Sequence, residues 1–256
     1  LTYTPNYIES HVLWVEQTHS TNDLAKQWLL EEKLFPGQVL VTNYQTSGRG
    51  QHENKWESAL GKNLLCTYVI DTQKFPIEQQ PLFNMAISCA VRNTIQDFIP
   101  QHKVMIKWPN DLFVQHKKIA GLLIENSLLG SDWHSSIVGI GININQLEFQ
   151  TPMACSIIQF TQQETLITDL LNALSANIKK VLLQSGLSND TRDEYHKHLY
   201  KKEEQGVFIM NGIETKGMIL GVDDYGKLII LINQEVHHVS HPKIKMKIET
   251  DENSHH

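Results

Sequence analysis

Residues 104–126 read Val104-Met105-Ile106-Lys107-Trp108-Pro109-Asn110-Asp111-Leu112-Phe113-Val114-Gln115-His116-Lys117-Lys118-Ile119-Ala120-Gly121-Leu122-Leu123-Ile124-Glu125-Asn126. Three short apolar runs, 104–107, 112–114 and 118–126, are separated by Pro109-Asn110-Asp111 and by Gln115-His116-Lys117. Proline, asparagine and aspartate favour tight turns, and such connections are too short for the crossover that parallel strands need. The runs are therefore expected to pair as hairpins, which points away from a doubly wound parallel sheet.

Working outward, 81–98 carries Leu82, Met85, Ala86, Cys89 and Ala90 at helical spacing. Strands are expected at 12–15, 38–43, 63–70 and 133–143. Between the first two, the hydroxyl-rich segment Thr18-His19-Ser20-Thr21-Asn22 can cap a helix. That helix presents Leu24, Ala25, Trp28 and Leu29 on one face and is expected to run until Phe35-Pro36-Gly37. Further helices are expected at 165–183 and 190–199. Beyond them the chain turns to strands at 206–211, 215–222, 227–232 and 235–240. Asn211-Gly212, Asp224-Tyr225-Gly226 and Asn233-Gln234 supply the turns between them.

The expected fold class is α+β, a mixed and mainly antiparallel sheet packed with helices, followed by a small C-terminal SH3-like β-barrel. The expected division is a catalytic domain over 1–203, a β domain over 204–250 and a polar tail over 251–256. The two final histidines are left out of site reasoning.

Composition bounds the function. Of 256 residues, 41% are hydrophobic and 20% charged, as expected of a soluble globular chain. The longest apolar runs are far too short to span a bilayer. The segment Leu1-Thr2-Tyr3-Thr4-Pro5-Asn6 has neither the basic nor the apolar region of a signal peptide, and a cytoplasmic location is expected. The three cysteines, Cys66, Cys89 and Cys155, form no CxxC and no even framework. Cys66 and Cys89 lie in apolar stretches and read as small buried hydrophobes. The net charge of −6, with basic residues dispersed, argues against a nucleic-acid surface. Lys243, Lys245 and Lys247 alternate with Pro242, Ile244, Met246 and Ile248, which reads as a strand with one solvated face.

Four segments carry candidate chemistry. In Ser47-Gly48-Arg49-Gly50-Gln51, glycines let backbone N–H groups approach an anion and the guanidinium can clamp it. Taken alone the segment reads as well as a turn beside a surface arginine, and Trp56 beyond it reads as well as core. Lys107-Trp108-Pro109-Asn110-Asp111 is equally a strand pair closed by a polar turn. In Lys117-Lys118-Ile119-Ala120-Gly121, alternation puts Lys118 and Ala120 on one face with Gly121 as a close-approach point. Lys118 is there either a polar strand flank or a cation beside a reacting phosphate. Gly139-Ile140-Gly141-Ile142-Asn143 sets an amide at the end of a buried strand.

In this order, with Ser20-Thr21-Asn22 ahead of them, the segments closely resemble the biotin protein ligases: Ser-Thr-Asn, Gln-x-x-Gly-Arg-Gly with a following Trp, Lys-Trp-Pro-Asn-Asp, Lys-Ile-Ala-Gly and Gly-Ile-Gly-x-Asn. The resemblance covers roughly 12–145 by motif and 150–248 by layout alone. It implies the class II aminoacyl-tRNA synthetase-like catalytic fold. It also implies ATP-dependent conversion of biotin to biotinyl-5′-AMP, followed by transfer to a lysine of a biotin carboxyl carrier protein. ATP and biotin are then substrates, with Mg2+ bridging phosphate oxygens.

Carried over by motif, the resemblance assigns Ser20, Thr21 and Gln45 to the ureido ring of biotin or its pocket. Gly48 and Arg49 would close over the biotin carboxylate and the phosphate. Lys118 would sit at the junction of carboxylate and α-phosphate, with Gly121 beside the biotin tail. Arg49 and Lys118 are the candidate charge-handling pair. Trp56, Lys107, Asn110 and Asn143 would receive the nucleotide, and Asp111 is a neighbour, structural or otherwise. No dedicated protein metal site is implied.

The chain departs from the resemblance at one place. Many relatives continue Gly-Arg-Gly-Arg-x-Gly, whereas here Gln51 and Glu53 replace the second arginine and the next glycine. A neutral amide lacks the arginine's electrostatic hold, so adenylate retention is expected to rest more on Arg49 and Lys118. The early position of Ser20-Thr21-Asn22 leads to the expectation of a short form without a DNA-binding domain, neither a repressor nor a membrane protein, and a monomer or homodimer. The competing readings are a lipoate protein ligase-like adenylating transferase, whose Arg-Arg-x-Ser-Gly-Gly-Gly segment is not found, a biotinyl-AMP-dependent repressor, and an inactive binding module.

Overall fold

The structure is a computed structural model and describes residues 2–3, 11–51, 54–130, 132–184 and 187–248. The readings made above for the N-terminal segment Leu1 to Asn6, apart from Thr2 and Tyr3, for Glu53 and for the tail 251–256 lie outside the described residues.

The main sheet begins with β1 (Thr2–Tyr3) and β2 (Val12–Thr18), continues through α1 (Thr21–Leu30) into β3 (Val39–Gln45), and then β4 (Asn63–Asp71). After α2 (Gln80–Phe98) come β5 (Val104–Lys107), β6 (Asp111–Val114), β7 (Lys117–Leu129) and β8 (Asp132–Asn143). The eight strands lie in the order β1-β2-β3-β4-β8-β7-β6-β5. Only β2 and β3, joined through α1, run parallel, and every other pair is antiparallel. The hairpins expected over 104–126 are β5–β6 and β6–β7.

Period-two alternation sorts the central strands into two unlike faces. Leu64, Cys66, Tyr68 and Ile70 of β4, with Val138, Ile140 and Ile142 of β8, point into one large core. This face is covered by α2 and by α4 (Ile167–Leu183), through Phe83, Ile87, Leu170 and Leu174, each of them fully buried. Burying a side chain of this size stabilises by roughly 1.5–3 kcal/mol, so a truncation such as Phe83→Ala would also lose its edge-on contact with Trp133 at 5.0 Å. The opposite face holds a smaller core, in which Val15, Leu40, Val69 and Ile137 meet Ala25 of α1. Farther along that face β8 offers Gly139 and Gly141, and the functional cleft opens there.

The strand β7 departs from simple alternation. Leu112 pairs with Ala120 but Phe113 pairs with Lys118, so an extra residue is bulged out of β7. Ile119 and Ala120 both turn into the large core. Lys118 therefore shares a face with Gly121, not with Ala120 as alternation alone suggested.

Two other differences are local. Helix α1 ends at Leu30, capped by Glu31, with Glu32 at φ 53°, well before Phe35-Pro36-Gly37. The stretch 144–166 has no clear periodicity and forms loops around the short α3 (Ile158–Thr161).

The helix α5 (Asn189–Lys197) leads to the second sheet, formed by β9 (Gln205–Met210), β10 (Ile213–Val222), β11 (Leu228–Ile232), β12 (Glu235–Val239) and β13 (Ile244–Lys247). Its order is β12-β11-β10-β9-β13, antiparallel throughout. Asn211 and Gly212 both take positive φ, the twist a two-residue hairpin turn demands. This sheet shares an apolar cluster with Met85 and Cys89 of α2, Ile106 of β5 and Tyr195 of α5, so it is packed onto the main sheet's end. The α+β class, with a mixed and mainly antiparallel sheet and a small C-terminal β unit, is thus the one expected.

Candidate active site

The cleft is built on glycines. Gly121 of β7 pairs with Gly141 of β8, and Gly139 follows two residues before on the same face. A Cβ on Gly139 would lie 2.2 Å from Asn22 Oδ1, and one on Gly141 would lie 2.5 Å from the Trp56 ring. Neither separation is physically allowed, so only glycine lets α1 and the Trp56 indole come this close to the sheet.

One wall is the start of α1. Ser20 caps the helix, its Oγ accepting from the Asp23 N–H at 3.4 Å. Gln45, at the end of the neighbouring β3, accepts from the Thr21 N–H at 2.8 Å and from the Thr21 hydroxyl at 3.2 Å. Asn22 is buried and ties α1 to two strands, β7 and β4. It donates to the Leu123 carbonyl at 3.1 Å and to Glu125 at 2.8 Å, and accepts from the Thr67 hydroxyl at 2.7 Å.

The second wall is formed by residues 48–51 and 54–56. Trp56 N–H bonds the Gly48 carbonyl at 2.8 Å, Arg49 bridges Lys55, and Gly50 N–H bonds Asn54 at 2.8 Å, so the segment is a small hairpin arm. From it the Arg49 guanidinium reaches Asp23 and, at 3.2 Å, Glu125. Partial burial works against the Arg49 charge, but Glu125 and Asp23 outweigh it and raise its pKa. Burial likewise pushes the Glu125 carboxyl up, and Lys26, Asn22 and Arg49 together bring it below the usual range.

The third wall is cationic. Lys118 Nζ lies 2.6 Å from Asp111 Oδ1 and 5.4 Å from the centre of the Trp56 ring. Lys107 stands opposite Asp111 in the β5–β6 hairpin. Asn110 locks the connecting turn to β7, its Nδ2 bonding the Leu122 carbonyl at 2.5 Å and its own carbonyl accepting from Leu122 N–H at 2.9 Å. Burial depresses the Lys107 pKa, Asp111 pulls the other way, and Lys118 and Lys245 depress it further. Lys107, Lys118 and Lys245 thus border one cleft together with Asp111, an arrangement that can offset negative charge.

The cleft so enclosed has a volume of about 550 Å³. Ser20, Thr21, Gln45, Arg49, Trp56, Lys107, Asn110, Lys118 and Gly121 all line it. Gly48 and Asn143 do not. Gly48 lies behind the arm, where a Cβ would come 2.7 Å from the Trp56 carbonyl. Asn143 is buried, its Nδ2 bonding the Cys155 carbonyl at 3.0 Å, while among the described residues its Oδ1 has no partner. The Trp56 Nε1 is buried without a partner in the same sense.

Sequence reasoning missed two groups. Asn22, Asp23 and Glu125 hold the arm and the helix together; Asn22 lay inside a recognised motif, but nothing local marked its partners. His241, Pro242 and Lys245, from the second sheet, complete the mouth of the cleft. Lys245 is exposed on the edge strand β13, as its alternation suggests, and tertiary packing brings that solvated face to the mouth of the cleft. Lys247 does remain outside, paired with Glu214 at 2.9 Å.

The arrangement can neutralise and orient anions, and it offers no activated nucleophile. All three cysteines are buried and free, and burial pushes the Cys89 and Cys155 thiols up to about 12. Among the described residues no group of three histidines, cysteines or carboxylates could hold a metal ion. No described helix is long and apolar enough to cross a membrane.

Comparison with known proteins agrees with this geometry. The model of the biotin/lipoate A/B protein ligase family matches residues 14–143. The biotin–protein ligase 1, chloroplastic, of Arabidopsis thaliana is 25% identical over 235 residues, covering 83% of this chain and 62% of that protein. The bifunctional ligase/repressor BirA of Escherichia coli is 27% identical over 223 residues, covering 81% of this chain and 66% of the relative. The chain thus spans just under two thirds of the length of these two relatives. In fold, the structure is similar to the biotin protein ligase from Aquifex aeolicus in complex with biotin and ATP, with a TM-score of 0.77 at 21% identity over 93% of this chain and 99% of that one. With the family model spanning just over half of the 256 residues, the chain belongs to the biotin/lipoate A/B protein ligase family.

Proposed function

We propose that this protein activates biotin with MgATP and transfers it to a lysine of a biotin carboxyl carrier protein. The observation that carries the reading is the convergence of Arg49, Lys107, Lys118 and Lys245 on one glycine-floored cleft whose lining, among the described residues, holds a single carboxylate, Asp111. Two anions, a carboxylate and a triphosphate, can meet there only if cations offset their repulsion.

In the first step the biotin carboxylate oxygen attacks the α-phosphorus, the bond to the β-phosphate oxygen breaks, and pyrophosphate leaves; Mg2+ brought with the nucleotide would supply further charge neutralisation. Lys118 stands at the junction and neutralises charge on the α-phosphate as it grows, while Lys107 and Lys245 hold the leaving pyrophosphate. Arg49 covers the junction and excludes water, with Gly48 supporting the arm from behind through Trp56. Ser20, Thr21 and Gln45 supply donors and acceptors to the ureido ring, and Gly121 leaves room for the valeryl tail. Trp56 and Asn110 serve the nucleoside, and Asn143, buried outside the cleft lining, is assigned to it by the motif alone. In the second step the neutral acceptor amine attacks the acyl carbon, and AMP leaves. No enzyme nucleophile is required, in keeping with the raised cysteine thiols.

We assign residues 1–203 to the catalytic domain and 204–250 to a C-terminal β domain. The three free buried cysteines suit a reducing compartment, and we place the protein in the cytoplasm.

The test is mass spectrometry of a purified biotin carboxyl carrier domain incubated with this protein, MgATP and biotin. A single biotin-dependent addition at the carrier lysine is expected. An unmodified carrier, with the same carrier modified by a control ligase, contradicts the proposal.

A further inference from the structure

The turn that presents Lys107 and Asp111 is held from both sides by the C-terminal part of the chain. The first hold is on β5, the edge strand of the main sheet. Ile106 N–H donates to the His198 carbonyl at 2.8 Å, and Tyr200 N–H donates to the Ile106 carbonyl at 2.8 Å, so the segment leading to the second sheet runs along the strand that carries Lys107. The second hold is on Trp108 itself. Its indole Nε1–H donates to the Gly226 carbonyl at 3.0 Å, and its ring meets His241 edge-on at 5.7 Å.

The acceptor of that bond is itself fixed. Gly226 sits in the β10–β11 turn, where Asp223 accepts from the Tyr225 and Lys227 N–H groups at 2.9 Å each and pairs with His238 at 2.6 Å. On the other side of the turn Asp224 forms an ion pair with Arg192 of α5. The same sheet brings Lys245 to the cleft. A displacement of the second sheet would therefore move Lys245 directly and Lys107 through Trp108.

We propose that Trp108 is a positioning residue: its bond to Gly226 sets the Lys107–Asp111 turn against Lys245 and so fixes the site for the nucleotide's phosphates, without touching either substrate. The role rests on the ligase reading given above. It concerns ATP and not biotin, because Ser20, Thr21 and Gln45 stand on the other wall.

Trp108→Phe removes the N–H and keeps an aromatic ring in the interface. Asp224→Ala loosens the same turn from a position outside the cleft. Biotin-dependent exchange of pyrophosphate into ATP is measured for the wild type and both variants, with the KM for ATP, the Kd for biotin and the melting temperature. Loss of one such bond is expected to raise the KM for ATP roughly five-fold in Trp108→Phe, and less in Asp224→Ala, with the biotin Kd within about two-fold of wild type. An unchanged KM for ATP in both variants overturns the proposal, even if the melting temperature falls, because that is the signature of a purely structural contact. An equal loss of biotin and ATP binding overturns it too. No exchange in the wild type contradicts the ligase reading itself, and is told apart from failure of the Trp108 role by that control.

Discussion

Lys118 Nζ lies 2.6 Å from Asp111 Oδ1, and the pair sits on the same face as Gly121 because a bulge in β7 turns both Ile119 and Ala120 into the core. Asp111 thereby holds the ammonium at the cleft and not in the solvent beyond the strand. Lys118→Ala should lower the rate of adenylate formation by about 100-fold, the scale of losing one charge-stabilising donor. Stability should change by less than ~1 kcal/mol, since the pair is partly solvated and Asp111 keeps Lys107 as a neighbour. Single-turnover rates beside denaturant melts check this, and a wild-type rate would make Lys118 a strand flank.

The depressed pKa of Lys107 makes its charge vulnerable at high pH. Its ammonium is lost as pH rises through the lowered folded value, before an unperturbed lysine at about 10.4 would titrate. The KM for ATP should therefore climb on the alkaline side, and Lys107→Arg should shift that limb to higher pH. The stability sign is the opposite of an ion pair's: between the lowered folded value and the unfolded one, the unfolded chain binds more protons, so this residue's contribution rises with pH. A KM for ATP that is flat across that window, or an arginine variant with the same limb, contradicts the assignment.

Asn22 makes bonds to Leu123, Glu125 and Thr67 while buried against Gly139. Asn22→Ala should cost roughly 2–4 kcal/mol, because it strands buried polar partners as well as removing a side chain. Biotin affinity should fall with it, since α1 carries Ser20 and Thr21. Chemical denaturation gives the first quantity and calorimetry the second; a loss below about 0.5 kcal/mol would show that the hub is dispensable.

Gln51 stands where the resemblance to the biotin protein ligases implies a second arginine, and Arg49 is the charged side chain that the arm's base sends toward Asp23 and Glu125. Gln51→Arg should slow the release of biotinyl-AMP, by about ten-fold if one charge-assisted bond is regained. Equal off-rates for the two proteins would remove Gln51 from the account.

Much of this was legible in the sequence because it depends on short-range periodicity. The apolar alternation of β4 and β8, the 3.6-residue pattern of α2, and the turn residues at Pro109-Asn110-Asp111 each act locally. Nine of the eleven residues singled out line one cleft. What could not be read depends on partners distant in the chain. The bulge at Ile119 exists only in register with Leu112 and Phe113, so Lys118 was put on the wrong face. Lys245 alternates like any edge-strand lysine, and its place beside Lys107 follows from how the second sheet packs on α2 and α5. Helix α1 stopped short of Phe35-Pro36-Gly37 because capping at Glu31 and the left-handed Glu32 end it before the proline does.

The central claim is that this cleft joins biotin, and not another acid, to the α-phosphate of ATP. Exchange of labelled pyrophosphate into ATP by the purified protein, with biotin, lipoate, octanoate or no acid present, tests it most directly. The account predicts exchange with biotin alone; exchange driven equally well by lipoate or octanoate, or independent of any acid, would contradict it.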